Sequence, residues 1–292
     1  MMAGEKTIVC FGEVLWDCLP KGLFLGGAPV NVAYHVQQFD GFQGFALTAV
    51  GDDFLGKEIL RRMDALGLTT DGVTIDRERA TGAVIVDLTS GGNAGYRFLE
   101  DVAWDNIGIP ETRMPGAGQV AALVYGTLAF RNPQNRDTFD YILSRYRDTY
   151  KICDLNLRIP YGGVGIAMEM GKRADMVKLN HEELGMLLGE GVGDVGGMED
   201  QSRRLSGLFG DVKICVTAGA NGAGYLDGLR GEWYWGSSRP IKVLDTVGAG
   251  DSFLATFIVH MERGAGIRES LQKACRMGEY VAGCDGATPR HP

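Results

Sequence analysis

Asp245-Thr246-Val247-Gly248-Ala249-Gly250-Asp251-Ser252-Phe253 is the stretch on which the reading of this chain turns. It follows a strand-like apolar run at 241–244 and opens an apolar helical run at 253–261. Glycines on either side of one alanine let backbone N–H groups converge on a point. A helix N-terminus adds unpaired donors and a positive partial charge. The stretch therefore reads as an anion site. Asp251 falls in the first helical turn, beside that anion, where a carboxylate is electrostatically out of place. The placement makes chemical sense if Asp251 takes a proton from a hydroxyl that attacks a phosphoryl group. A helix cap explains a bare Gly-Ala-Gly-Asp, but it leaves the full nine residues unexplained.

Outward from this stretch, short apolar runs alternate with helical patterns. Strands are expected at 7–11, 44–50, 120–125, 151–155, 174–179 and 211–216, rich in Val, Ile and Leu as buried strands are. Helices are expected at 30–39, 55–66, 136–147, 182–188, 200–209, 251–263 and 267–284. This rhythm predicts an α/β fold with a mainly parallel sheet covered by helices on both faces. One segment breaks the pattern. Runs at 81–88 and 96–99 flank the Gly-rich 89–95, which suggests a hairpin, and 14–25 can supply it with further strands. The expected organisation is one domain over 1–292, with a small β flap, or lid, drawn from about 13–25 and 73–105.

The chain has 292 residues and a formal net charge of −8. That balance argues against a broad nucleic-acid footprint, yet it leaves room for a local anion site. No apolar stretch reaches the ~18 residues of a membrane span, and the N-terminus has no signal-peptide layout, so a cytoplasmic protein is expected. None of the six cysteines forms a C-x-x-C pair, and buried reduced thiols are the expectation. Gly191-Val192-Gly193-Asp194-Val195-Gly196 fits a dinucleotide fingerprint by letter, but it follows a helical segment and reads as a loop. There is no G-x-x-x-x-G-K-[ST], and the four histidines form no ligand cluster.

Other stretches carry polar residues at plausible ligand positions. In Gly26-Gly27-Ala28-Pro29-Val30-Asn31-Val32-Ala33 the glycines allow close backbone approach, and Asn31 offers a donor and an acceptor, as a sugar requires. Asp154-Leu155-Asn156-Leu157-Arg158 ends a strand, where α/β sheets bind ligands, and the planar fork of Arg158 suits an oxyanion. Lys178-Leu179-Asn180-His181-Glu182-Glu183 reads equally as a capped helix start. Val216-Thr217-Ala218-Gly219-Ala220-Asn221-Gly222 reads as a strand and turn, and Val50-Gly51-Asp52-Asp53-Phe54-Leu55-Gly56 as a turn and helix start. Arg97, in the flap, is a candidate for a sugar oxygen and equally a solvated side chain.

D-T-V-G-A-G-D-S-F resembles the C-terminal signature of the ribokinase-like, or PfkB-type, carbohydrate kinases, and the other motifs follow in that family's order from about residue 9 to 289. The resemblance implies a three-layer sandwich with a small β lid. It implies that Gly248, Ala249 and Gly250 form the anion hole and that Asp251 is the base. Asp17, Gly26, Gly27 and Asn31 match sugar-binding positions. Asn180 and Glu183 match the N-x-x-E that organises Mg²⁺ and the nucleotide phosphates, in relatives often through water. Thr217, Gly219 and Gly222 match a nucleotide turn. Asp245 and Val247 match positions of a monovalent-cation site, which implies K⁺ activation. ATP and Mg²⁺ are the implied cofactors, and a homodimer through the lid the implied assembly. The G-G-A-P-x-N-V-A and D-x-N-x-R forms are closest to fructokinases. Kinases for ribose, a nucleoside or 2-keto-3-deoxygluconate, and a sugar sensor without catalysis, are the alternatives.

Overall fold

The computed structural model describes residues 5–19, 21–88, 94–110, 114–191 and 195–292. In chain order the strands are β1 (Lys6–Phe11), β2 (Leu15–Leu19), β3 (Gly22–Gly26), β4 (Phe42–Gly51), β5 (Val73–Asp76), β6 (Ala83–Leu88), β7 (Ala94–Phe98), β8 (Val120–Tyr125), β9 (Tyr150–Asp154), β10 (Met176–Asn180), β11 (Lys213–Thr217), β12 (Ala223–Asp227) and β13 (Glu232–Gly236). The helices are α1 (Ala28–Gln37), α2 (Phe54–Ala65), α3 (Gln134–Arg145), α4 (Val164–Gly171), α5 (His181–Leu188), α6 (Met198–Phe209), α7 (Ala249–Glu262) and α8 (Ile267–Ala282).

Nine strands form one sheet in the order β13-β12-β11-β10-β9-β8-β1-β4-β5. From β5 across to β11 every pairing is parallel, and only β12 and β13 run antiparallel at one edge. Alternation along β1 shows why both faces are covered. Val9 and Phe11 pack into one core with side chains of α3, α4, α5 and α6, while Ile8 and Cys10 pack into the other with α1, α2, α7 and α8. A strand buried on both sides needs apolar residues at consecutive positions, which is what this chain supplies. The result is the three-layer α/β sandwich.

The second, small sheet has the order β3-β2-β6-β7, the segment expected as the lid. Its base is fixed by a few polar contacts. Asp53 caps α2 through Gly56 N at 2.7 Å and also accepts from Thr81 N and Oγ1 at 2.8 and 2.7 Å, which ties the helix to the chain entering β6. Arg131 lies 2.7 Å from both carboxylate oxygens of Asp105, donates to Leu99 O just past β7, and stacks 4.0 Å over Trp104.

Two expectations need correction. The apolar run at 241–244 forms no strand; it is irregular, with Val243 and Leu244 largely exposed. Residues 73–76, grouped with the lid by their position, instead pair with β4 and extend the main sheet as β5. The turn at 89–93 and positions 192–194 of the glycine-rich loop lie outside the described residues. Among the described residues no helix is long and apolar enough to cross a membrane, and the six cysteines are free thiols.

Candidate active site

Because β1, β8, β9, β10 and β11 are parallel, their C-terminal ends share one edge of the sheet, where α/β folds bind ligands. A cleft of 950 Å³ opens there between the sheet edge and the lid. Asp17, Gly27, Asn31, Arg158, Asp245, Val247, Gly248, Gly250 and Asp251 all line it, so most of the positions singled out by sequence meet in one place.

The anion loop is built as the local sequence suggests. Gly248 caps α7 in the left-handed region at φ 78°, and no side chain caps the helix. A Cβ at Gly248 would come within 2.5 Å of Ala287 O, so the loop and the C-terminal segment need glycine here. That segment is held from below by His35, whose ring nitrogens lie 2.9 Å from Ala287 O and from His291 Nε2. The amides of Gly250 and Asp251 fall in the first turn, where the helix offers them no acceptor. Ala249 N makes a longer bond, 3.3 Å, to Thr246 O.

Asp251 is 8% exposed, and its Oδ2 accepts from Asn31 Nδ2 at 2.9 Å. Burial pushes its carboxyl above the usual range, against the pull of Lys178, the Asn31 bond and Arg158. Lys178 was not singled out as a functional residue by sequence. It sits in the middle of β10, where one lysine in an apolar run gives little signal. Its Nζ lies 2.9 Å from both oxygens of Asp154 and 3.0 Å from where a Cβ on Gly250 would stand. Burial opposes its charge, but Asp154 and Asp251 hold the ammonium protonated. A fixed positive charge thus lies directly beneath the anion loop.

The glycine pair before α1 is explained by its neighbours. A Cβ on Gly26 would lie 2.2 Å from Asp17 Oδ2, and one on Gly27, where φ is 114°, would lie 2.4 Å from Glu13 O. Burial lifts the Asp17 carboxyl to about 6, with Arg158 opposing and Asp245 adding to the rise. Arg158 is exposed at the cleft wall. Glu13 is a second residue that sequence reading passed over; it is buried on the cleft wall, and its Oε1 accepts from Ala28 N at 3.2 Å. Its only sequence signal is its place directly after the first strand.

Other predicted residues are arranged differently. Asn180 and Glu183 form a reciprocal capping box: Asn180 Oδ1 accepts from Glu183 N, and Glu183 Oε2 from Asn180 N, both at 2.8 Å. The remaining carboxylate oxygen of Glu183 accepts from Leu157 N at 2.7 Å. With both oxygens already bonded to backbone, and no cluster of three or more metal-ligating side chains among the described residues, this donor set suits Mg²⁺ held mainly by water and phosphate. Thr217 stands beside Asn180 in the β10–β11 register. Gly219 and Gly222 have φ of 53° and 117°. None of Thr217, Gly219 and Gly222 lines the cleft that holds Asp251; they lie along the neighbouring strand ends. Val247 N donates to Asp245 Oδ1 at 3.0 Å, closing the turn before the anion loop. Arg97 is exposed on the lid and does not line the cleft.

A glycine-built helix N-terminus, a buried carboxylate in its first turn and a cleft that gathers Asp17, Asn31 and Arg158 beside them together define a phosphotransferase site on an α/β sandwich. Comparison with known proteins agrees. The pfkB family carbohydrate kinase model matches residues 8–292, and the chain belongs to that family. It is 30% identical over 255 residues to a fructokinase from Klebsiella pneumoniae, covering 84% of this chain and 80% of that one. Among solved structures it resembles an uncharacterized sugar kinase from Pyrococcus horikoshii in complex with ATP, at a TM-score of 0.80 and 23% identity, covering 96% and 94% of the two chains. It also resembles a double mutant of the Vibrio cholerae fructokinase in its fructose, ADP and potassium ion bound form, at a TM-score of 0.81 and 20% identity, covering 99% and 96%.

Proposed function

We propose that this carbohydrate kinase transfers the γ-phosphoryl group of ATP to the primary hydroxyl of a sugar, with D-fructose as substrate. The observation that carries the reading is the position of Asp251, a buried carboxylate one residue beyond Gly248–Gly250 and open to the same cleft as Asp17 and Asn31. Asp251 takes the hydroxyl proton, and Asn31 fixes the orientation of its carboxylate. The first-turn amides of α7 and the buried Lys178 offset the charge that develops on the transferred phosphoryl group. Asp17 binds the sugar from the lid side, and Arg158 supplies a further cation at the wall. The nucleotide lies along the ends of β10 and β11, by Asn180, Glu183, Thr217, Gly219 and Gly222. Asn180 and Glu183 would hold Mg²⁺ through water, where it would neutralise phosphate charge, and Asp245 with the chain at Val247 would hold a monovalent cation beside the anion loop. Lid closure excludes water from the cleft. The fructokinase from Klebsiella pneumoniae and the fructose-bound structural relative support the choice of sugar.

The test is ADP release with Mg-ATP across fructose, ribose, glucose, tagatose, adenosine and 2-keto-3-deoxygluconate. Fructose giving the highest kcat/KM supports the reading. Turnover on another sugar keeps the mechanism and replaces the substrate. Sugar binding without turnover on any of them points to a sensor.

A further inference from the structure

Three buried polar atoms on the cleft wall have no partner among the described residues: Glu13 Oε2, Asn31 Oδ1 and Asn156 Nδ2. A buried polar atom left unpaired has lost its water without regaining a hydrogen bond, which is unfavourable. Three such atoms on one cleft mark a place where a ligand's polar groups complete the set. Two of the three are held in place by other contacts. Glu13 is 6% exposed, and its Oε1 is fixed by Ala28 N. Asn31 is fixed by its bond to Asp251. Asn156 follows β9 and adopts φ 42°, a left-handed conformation that asparagine tolerates better than most residues.

The chemistry of the trio is specific. With Glu13 ionised, two atoms accept and one donates, which matches adjacent hydroxyl groups on a polyol. The field of Arg158 already acts on Glu13, and Asp251 adds a like charge nearby.

Resting on the sugar-kinase reading above, we propose that Glu13 is a sugar-binding residue whose Oε2 accepts a hydrogen bond from a substrate hydroxyl other than the one phosphorylated. Asn31 Oδ1 and Asn156 Nδ2 take neighbouring hydroxyl groups. Glu13 thereby sets which sugar hydroxyls the cleft requires, a role separate from proton transfer by Asp251.

The test uses the full chain, D-fructose and its singly deoxygenated analogues, with Glu13→Gln and Glu13→Asp. Glu13→Gln keeps an acceptor for Ala28 N and removes the second acceptor. Glu13→Asp keeps the charge and withdraws it by one methylene. In both variants the fructose KM and the calorimetric Kd rise about tenfold or more, while kcat changes less than about threefold and the KM for ATP stays constant. The deciding measurement is the cycle with the analogues. One hydroxyl deletion weakens binding to the wild type by about tenfold or more, and costs the variants nothing further. If every deletion weakens wild type and variants by the same factor, Glu13 touches no hydroxyl and the proposal is overturned, whatever the variants do to stability. A wild type that phosphorylates fructose alongside variants with unchanged fructose KM overturns this inference alone. A wild type that binds no sugar in the panel overturns the sugar-kinase reading, and this inference with it.

Discussion

Asn31 Nδ2 donates to Asp251 Oδ2 at 2.9 Å, joining the first turn of α1 to the first turn of α7 across 220 positions of chain. The bond favours the ionised carboxylate, against burial, which raises its pKa. A general base works only when ionised, so activity falls as pH drops through that raised pKa. Removing the Asn31 bond raises it further. In Asn31→Ala, the acid limb of the kcat/KM profile therefore lies at higher pH than in wild type. A pH–rate profile of the two proteins checks this, and coincident acid limbs would contradict the assigned role of the bond.

Glu13 gives a stability prediction with a defined pH window. Burial raises its carboxyl from the usual 4.5 to about 7, with Asp251 adding to the rise and its backbone bonds and Arg158 opposing it. A carboxyl whose folded pKa is raised contributes stability that is fully present below about 4.5 and lost as pH rises through about 7. Glu13→Gln does not titrate. Its stability relative to wild type should increase between pH 5 and pH 8, by on the order of 3 kcal/mol. Urea midpoints at both pH values measure this, and a difference independent of pH would show that Glu13 ionises freely in the fold.

The adjacent glycines before α1 should fail in different ways. An alanine at 26 meets side-chain atoms alone, the Asp17 carboxylate at 2.2 Å and Leu15 Cδ1 at 3.1 Å, and these can turn aside. Gly26→Ala should leave the melting temperature near that of wild type and raise the sugar KM about tenfold or more. An alanine at 27 meets the Glu13 backbone at 2.4 Å and carries a φ of 114°. Gly27→Ala should destabilise the fold by about 2 kcal/mol or more. Thermal melts and fructose saturation curves on both variants separate the two effects.

How much of this was legible in sequence depended on whether a residue acts within its own segment. The anion loop, Asp251 and the Gly26-Gly27 pair announce themselves because turn, helix start and carboxylate are contiguous. The central strands were legible because burial on both faces leaves a continuous apolar run. Glu13 and Lys178 were missed because each acquires its meaning from a neighbour brought in by the fold: Ala28 for Glu13, Asp154 and Gly250 for Lys178. The run at 241–244 has strand composition but pairs with no strand, and its chain instead bonds back to α8 through Leu244 N and Ala282 O. Asn180 and Glu183 show the reverse. Their spacing fits both a capping box and a phosphate-site motif, and the described contacts are those of the cap.

The lid edge gives a prediction about assembly. β3 is the outer strand of the lid sheet, and Leu23 on it is 43% exposed. An apolar residue on an edge strand favours pairing with a second chain. We expect a homodimer that Leu23→Lys dissociates at micromolar concentration. Sedimentation velocity decides it, and a wild type that sediments as a monomer would remove the lid from the dimer contact.

The account depends most on Asp251 as the base that activates the sugar hydroxyl. The most direct test is the kcat of Asp251→Asn with Mg-ATP and fructose, alongside calorimetric binding of both ligands. The account predicts a fall in kcat of about 10²–10⁴-fold, with folding and ligand affinities retained. Turnover near that of wild type in a folded variant would contradict it.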